Sequence, residues 1–344
     1  MTPLPTTAAT RIAIVSDAWK PQVNGVVRTL STVADELQAM GHAVDVIGPD
    51  RFRTFPLPTY PDIRVALLPK RRLVRAIESF GPKILHIATE GPLGMAARTW
   101  AFEQGVRFTT SFHTRFPEYI QARTGLPTGP AYAWMRRFHN AGDATLVAAS
   151  SLRQELTSRG FTKVRAWSRG VDLDLFKPAP REEWSLPRPV FIYVGRVAVE
   201  KNIGAFLELD LPGSKVVVGS GPQLTSLQRD YPNVLFTGPR FGQPLAEAYA
   251  GADVFVFPSL TDTFGLVILE ALACGTPVAA FPVTGPKDVL VGATGVVGAV
   301  DTDLRAAALA ALKADRAACR QNAERHGWRA CAELFLSHLV PMRE

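Results

Sequence analysis

The chain has 344 residues, 47% hydrophobic and 20% charged, with 27 Gly, 27 Pro and three Cys. This excludes disordered, collagen-like and disulfide-stapled miniature classes, and the length suffices for two domains with separate cores. The net charge of +7 is unevenly spread: residues 1–177 hold 23 basic and 14 acidic side chains, the remainder 15 and 17. A balance of +9 against −2 predicts two surfaces with different kinds of partner.

Cys274, Cys319 and Cys331 show no C-x-x-C spacing and are odd in number, which predicts a reducing compartment. Residues 1–10 carry neither the basic stretch nor the apolar core of a secretory signal, so a cytoplasmic location is expected. The longest uncharged apolar run, 271–286, contains Gly275, Pro277, Pro282 and Gly285 and is shorter than the roughly 20 residues of a spanning helix. No transmembrane segment is predicted.

In chain order, short apolar runs alternate with stretches of helical spacing. Strands are predicted at 11–16, 43–47, 63–67, 84–87, 107–112 and 144–148, and a helix over 27–40 with Leu30, Val33, Leu37 and Met40 on one face. The same grammar restarts at 190–194, 215–218, 234–236, 253–257 and 277–280. Between the halves, 176–189 holds Pro178, Pro180, Pro187 and Pro189. Runs that are apolar on both faces imply parallel strands covered on both sides. The expected architecture is α/β: two doubly wound Rossmann-like domains, 1–177 and 178–326. Residues 304–339 read as helical, and 327–344 as a terminal helix packing back toward the first domain.

Five clusters follow predicted strands, where such folds bind ligands. Asn24-Gly25, after the first strand, can offer backbone N–H groups to a phosphate at a helix start, although neither a G-x-G-x-x-G nor a P-loop pattern is present. His113, in Ser111-Phe112-His113-Thr114-Arg115, reads either as a cleft-facing ligand or as a satisfied structural histidine. His86 and Glu90 are poorer candidates. Gly195-Arg196 with Glu200-Lys201-Asn202 places two cations and a close-approach glycine after a strand, which suits a diphosphate; the alternative is a solvated basic turn. Residues 258–277, PSLTDTFGLVILEALACGTP, hold Asp262 and Glu270 eight positions apart around a helix start at Phe264-Gly265-Leu266-Val267, whose free amides form an anion or hydroxyl site. Here the alternative is Asp262 as a helix cap and Glu270 on a solvated face. Asp172-Leu173-Asp174 resembles a divalent-ion carboxylate pair but is read as a structural loop.

Taken together and in this order, from Arg11 to about Trp328, the clusters resemble the family 4 glycosyltransferases of GT-B fold, with two domains facing a central cleft. Asp262-x7-Glu270 with its Phe-Gly-Leu resembles the family's paired-acid E-x7-E motif, with Asp for the first Glu. Gly195-Arg196 with Lys201-Asn202 resembles the diphosphate-gripping pair, and Val218-Gly219-Ser220-Gly221-Pro222 the G-x-G-P turn. The resemblance implies a retaining transfer of a hexose from a nucleotide-diphosphate sugar, without a metal or other cofactor, giving an α-glycoside. On that resemblance the catalytic set is His113, Arg196, Lys201 and Asp262, with His113 near the anomeric centre and the two cations neutralising the leaving diphosphate. Asn24, Gly25, Gly195, Gly221, Phe264, Gly265, Leu266, Val267 and Glu270 would bind the donor, Glu270 at the ribose hydroxyls and Gly25 at the phosphates. A nucleotide-sugar epimerase shares the fold, but the order of these clusters favours transfer. Residues 202–212 are shorter than the family's usual helix there.

The strings PQVNGVVRTL, HIATEGPLG, FHTRFPEY and TDTFGLVILEAL look most like the branch acting on lipid acceptors, including glucosyl and glucuronosyl transferases of diacylglycerol and sulfolipid synthases. Glucose or glucuronic acid from a UDP-sugar is therefore the expected donor group, with mannose from GDP-mannose and a lipid or soluble acceptor as the alternative. The basic half then faces an anionic membrane. Lys70, Arg71, Arg72 and Arg75 flank an apolar stripe of Leu73, Ile77 and Phe80, and Arg115 and Tyr119 join the same acceptor or membrane side. The rival for this segment is an ordinary helix covering the sheet. The expected location is the cytoplasmic face of the cell membrane, peripherally bound, with no nucleic-acid partner.

Overall fold

The computed structural model describes residues 9–22, 24–57, 60–180, 184–290 and 292–343. Residues 1–8 of the stretch read for a signal, and 181–183 of the proline-rich joint, lie outside it. The chain divides into two units, one from 1–117, 126–169 and 328–344, the other from 118–125 and 170–327.

In the first unit, β1 (Arg11–Val15), β2 (Ala43–Ile47), β5 (Ile84–Ile87), β6 (Thr109–Phe112), β7 (Thr145–Val147) and β8 (Val164–Ala166) form a parallel sheet. Their order is β2-β1-β5-β6-β7-β8. Ile12 to Val15 are fully buried because helices cover both faces. The order reverses between β1 and β5, so the carboxyl ends of these strands border the crevice such sheets use for ligands. β3 (Thr54–Leu57) and β4 (Tyr60–Ala66) make a separate antiparallel hairpin. The run 63–67 thus belongs to β4 and not to the main sheet, and Pro56, which lacks an N–H, is at home in a two-stranded edge.

The helix Lys70–Phe80 buries Leu73 and Ile77 among Ala13, Val15, Ile47 and Leu85. Its apolar stripe is therefore part of the core, and the covering-helix reading holds for that face. The helix Trp328–His338 belongs to this first unit, where Phe335 packs on Trp167 and on His86, each at 4.8 Å between ring centroids. The predicted helical stretch 304–339 is in fact three helices, Leu304–Ala311, Arg316–Ala323 and Trp328–His338. Asp303 and Asp315 cap the first two by accepting from their opening amides.

The second unit holds β9 (Val190–Val194), β10 (Ser214–Val218), β11 (Leu235–Gly238), β12 (Val254–Phe257), β13 (Val278–Ala280) and β14 (Gly298–Val300). All are parallel, in the order β11-β10-β9-β12-β13-β14, with the reversal between β9 and β12. The helix Leu266–Ala273 follows β12 and ends at Gly275, whose φ of 72° takes the left-handed position that closes helices. Thr276 N–H donates back to Ala271 O, and Pro277 then leads into β13, so the A-C-G-T-P string is a helix stop. Residues 202–212 hold a single short helix, Gly204–Leu207. Both units are Rossmann-like, and the fold class is α/β.

Candidate functional site

In the second unit the loops leaving β9 and β12 are tied together. Lys201 Nζ meets Asp262 Oδ1 at 2.5 Å, Asn202 Nδ2 donates to Pro258 O at 3.1 Å, and Thr261 Oγ1 donates to Glu200 O at 3.0 Å. Tyr193, at the end of β9, donates its hydroxyl to Arg196 O at 2.8 Å and so fixes the turn that presents Arg196. The neighbouring glycine turn packs backbone to backbone on the same loop. A Cβ on Gly219 would lie 1.8 Å from Gly195 O, and one on Gly221 2.3 Å from Val197 O. Val197 N–H donates to Ser220 O. Gly219 and Gly221 are thus explained by the close approach of two strand-end loops, whereas a Cβ on Gly195 would meet the Tyr193 hydroxyl at 2.8 Å.

Asp262 is not a helix cap: that position belongs to Gly265, with φ of 83° and ψ of 76°, and the helix starts at Leu266, two residues later than Phe264. Asp262 Oδ2 and Ser259 Oγ, on the same loop, are buried polar atoms with no hydrogen-bond partner among the described residues. Buried polar atoms are rarely left so, which makes them openings for a ligand. Burial alone would depress the Lys201 ammonium, but Asp262, with the phenols of Tyr119 and Tyr193, outweighs it and holds the lysine above its ordinary value. Lys201 is therefore charged at neutral pH, and the pair is neutral overall. Leu266 and Val267 open the helix, where the first amides have no intrahelical acceptor, while Phe264 is buried.

Glu270 does not stand on a solvated face. It is 4% exposed, and its Oε2 accepts from the Tyr249 hydroxyl at 3.0 Å. Tyr119 belongs to this unit, not to the first. Burial, then the charges of Lys201, Asp262, Glu200 and Arg196, act on its phenol and leave its pKa raised. Asp172 makes a turn, its Oδ1 accepting from the amides of Asp174 and Leu175.

In the first unit Asn24 caps the helix Gly25–Ala39, its Oδ1 accepting from Val26 and Val27 N–H at 3.0 Å each. The Val26 and Val27 amides are taken by this side chain, while Gly25 is exposed at the first helical position. His113 follows β6 and is 9% exposed. Arg169 Nη2 lies 3.4 Å from its Nδ1, and Trp167 meets the imidazole edge-on at 5.7 Å. Burial first, then the positive Arg169, hold His113 well below its ordinary pKa. Arg115 is a buried partner of Glu155, at 2.6 and 3.1 Å, and so is not a membrane-facing cation. Lys70, Arg71, Arg72 and Arg75 are exposed, Lys70 paired with Glu103. His86 is satisfied by Thr109 and Ser111, and Glu90 by His139, as structural residues.

Sequence reading missed Arg169, Ser259, Tyr193 and Tyr249. Arg169 follows β8, whose three residues are too short a run to mark a strand end, so the loop behind it drew no attention. Tyr249 gave no signal because its role is set by a helix partner 21 positions away.

Comparisons with known proteins agree with this geometry. Residues 23–175 match Glycosyltransferase Family 4, and residues 188–315 match Glycosyl transferases group 1. A GDP-mannose-dependent alpha-mannosyltransferase of Mycobacterium tuberculosis is 34% identical, covering 81% of each chain. Sulfoquinovosyl transferase SQD2 of Arabidopsis thaliana is 32% identical over 81% of this chain and 60% of its own. An alpha-monoglucosyldiacylglycerol synthase of Streptococcus pneumoniae is 28% identical over 78% and 70%. Among solved structures, sucrose-phosphate synthase from Thermosynechococcus elongatus shares the fold, with a TM-score of 0.72 at 20% identity over 95% of this chain and 97% of that one. The GT-B expectation for the fold is met in these neighbours, and the paired-acid loop and the glycine turns occupy strand ends as the family resemblance implies. The chain is a glycosyltransferase and belongs to glycosyltransferase family 4.

Proposed function

We propose that this enzyme transfers a hexose, with retention and without a metal, from a nucleoside diphosphate sugar to a lipid acceptor, giving an α-glycoside. The observation that carries the reading is the Lys201–Asp262 pair with its unpartnered Asp262 Oδ2 beside the start of the helix Leu266–Ala273. An ionised carboxylate only accepts hydrogen bonds, so the group it takes must donate, as a sugar hydroxyl does. Arg196 and Lys201 supply positive charge where the leaving diphosphate gains negative charge, the contribution that usually dominates such catalysis. The amides of Leu266 and Val267 suit a phosphate or hydroxyl oxygen. Glu270, held by Tyr249, retains acceptor capacity for the ribose hydroxyls. His113 is proposed to bind the sugar as a neutral donor or acceptor, not as a nucleophile.

For the donor, mannose from GDP-mannose is supported by the relative at 34% identity, and glucose or glucuronic acid by the string-level resemblance and the relative named for monoglucosyldiacylglycerol. A panel of labelled UDP- and GDP-sugars against lipid and soluble acceptors, read by product mass spectrometry, separates these. Incorporation only with GDP-mannose selects the first; incorporation only with UDP-glucose or UDP-glucuronate selects the second. If both Lys201→Ala and Glu270→Ala remain folded with near wild-type turnover, the donor-site assignment fails.

The acceptor reading rests on the first unit. Leu67 and Leu68 are 51% and 96% exposed immediately before the cationic turn of Lys70, Arg71 and Arg72, with Arg75 exposed one turn on. Because Leu73 and Ile77 are in the core, anionic lipid would be met by these cations and the two leucines, not by an inserted helix stripe. A cavity of about 350 Å³ lined by Lys20, Asp50, Phe52, Thr54 and Arg64 is proposed for the polar head of the acceptor. Among the described residues no helix is long and apolar enough to cross a membrane, so attachment would be peripheral. Sedimentation with anionic liposomes at low salt tests this, and absence of binding removes it.

A further inference from the structure

Arg169 is 4% exposed and lies in the first unit just beyond β8. The groups it touches are two carbonyls, an indole and an imidazole. Nη1 donates to Trp167 O at 2.9 Å and Ser168 O at 3.0 Å, the guanidinium sits 4.1 Å from the centre of the Trp167 ring, and Nη2 points at His113 Nδ1 from 3.4 Å. A cation so deeply buried ordinarily stands beside a carboxylate. Here an imidazole and two carbonyls take that place, so the arrangement calls for an explanation beyond charge pairing.

We propose that Arg169 is a positioning residue that fixes the proton of His113. A guanidinium has donors only, and Arg169, although burial lowers its pKa to about 10, keeps its proton in neutral and acid solution. The ring nitrogen it addresses must therefore accept, and in a neutral imidazole the other nitrogen then carries the hydrogen. Nδ1 is the acceptor and Nε2 the donor. A second proton would have to enter on Nδ1, against the guanidinium, so the same contact keeps the ring neutral. The other titratable groups acting on this ring are His86 on β5 and His139 on the helix Gly129–His139, both of which would oppose a positive charge here. His86 is held by Thr109 and Ser111, and His139 by Thr110 and Glu90. Trp167 packs edge-on against the imidazole and holds Arg169 over its own face, so one indole sets the mutual orientation of both groups.

This inference rests on the reading of His113 as a sugar-binding residue, and its consequence is functional. A histidine committed to the Nε2–H form can donate one hydrogen bond in a fixed direction and does so in acid as in neutral solution. A hydroxyl acceptor on the ligand therefore meets the same hydrogen-bond pattern across the pH range, and ring protonation does not interrupt turnover.

The test is spectroscopic and kinetic, on the full chain. With ¹⁵N-histidine labelling, two-bond ¹H–¹⁵N spectra report which ring nitrogen carries the proton, and the His113 signals are identified by their absence in His113→Ala. The expected wild-type result is an Nε2–H ring that stays neutral from pH 8 to pH 5. In Arg169→Met the ring is expected to lose its single tautomer and its pKa to rise, while burial, His86 and His139 still hold it below the ordinary histidine value. The kcat of Arg169→Met is therefore expected to fall more steeply toward acid pH than that of the wild type. Arg169→Lys, which keeps a cationic donor and guards against a variant that does not fold, is expected to restore the Nε2–H form. A wild-type Nδ1–H ring, or an unchanged tautomer and pH response in Arg169→Met, overturns the proposal. Failure of the underlying reading appears separately, as full turnover in His113→Ala with the tautomer result intact.

Discussion

Lys201 and Asp262, 61 positions apart in the chain, meet at 2.5 Å and join the loops that leave the two strands flanking the reversal of the second sheet. The contact makes a neutral unit from two charges while leaving one carboxylate oxygen without a partner among the described residues. Removing either partner leaves the other poorly solvated. Lys201→Ala is expected to lower kcat by roughly 10²–10³-fold, the usual effect of deleting one preorganised charge-stabilising donor. Steady-state rates with the preferred donor check it, and near wild-type turnover refutes it.

The same pair sets a pH dependence. Lys201 has its pKa raised in the folded chain, so its contribution to stability is complete below the unfolded value of about 10.5 and is lost only as pH rises through the still higher folded value. Thermal melts should therefore show no loss from this group between pH 6 and pH 9. An alkaline decline above about pH 10.5 is expected in the wild type and weaker in Lys201→Met.

His86 gives the opposite sign. Burial, helped by the neighbouring His139, lowers its pKa to about 3. An unfolded chain takes up the proton at about 6.5, so stability falls as pH drops below that value and continues to fall toward 3, by at most about 4–5 kcal/mol. His86→Gln, able to keep polar contacts to Thr109 and Ser111, should lose less stability than the wild type between pH 7 and pH 4. Parallel acid slopes in urea denaturation would sink the idea.

Tyr249→Phe deletes the hydroxyl that donates to Glu270 and leaves that carboxylate buried with one fewer hydrogen bond. A loss of about 1.5–3 kcal/mol is expected, the range for hydrogen bonds to charged groups. If Glu270 holds the ribose, the donor KM should also rise while kcat changes little. An unaltered KM would leave the Tyr249–Glu270 contact as purely structural.

Gly221→Ala should be costly for a reason unrelated to any ligand contact. Its Cβ would fall 2.3 Å from Val197 O, a backbone atom that cannot move without displacing the loop carrying Arg196 and Lys201. Gly238→Ala, where a Cβ meets nothing within 4 Å, separates this crowding from backbone strain alone, since both glycines have positive φ. Equal destabilisation in the two variants would argue against crowding.

The sequence pattern revealed the parallel sheets because buried strands are continuous apolar runs, and it drew attention to the loops of Lys201 and Asp262 because they follow those runs. It could not reveal β8 or β14, three residues each, and so it passed over Arg169. Nor could spacing tell that Leu73 and Ile77 face the core, since a helix covering a sheet and one lying on a membrane share the same periodicity. Asp262 and Glu270 were visible as a pair. Which partners they take, Lys201 and Tyr249, depends on tertiary contacts that no local pattern encodes. Asn24 was read for its backbone, whereas its side chain does the capping.

The helix Trp328–His338 lies on the far side of the second unit in sequence, yet Phe335 supplies part of the aromatic packing around Trp167 and His86. During synthesis the first unit therefore stays incomplete until the whole of 170–327 has left the ribosome. Trp167, and with it the Arg169–His113 contact, receives that packing only after the second unit has had the opportunity to fold. A chain arrested anywhere in that stretch would lack both the end of the second unit and the aromatic cover of the first.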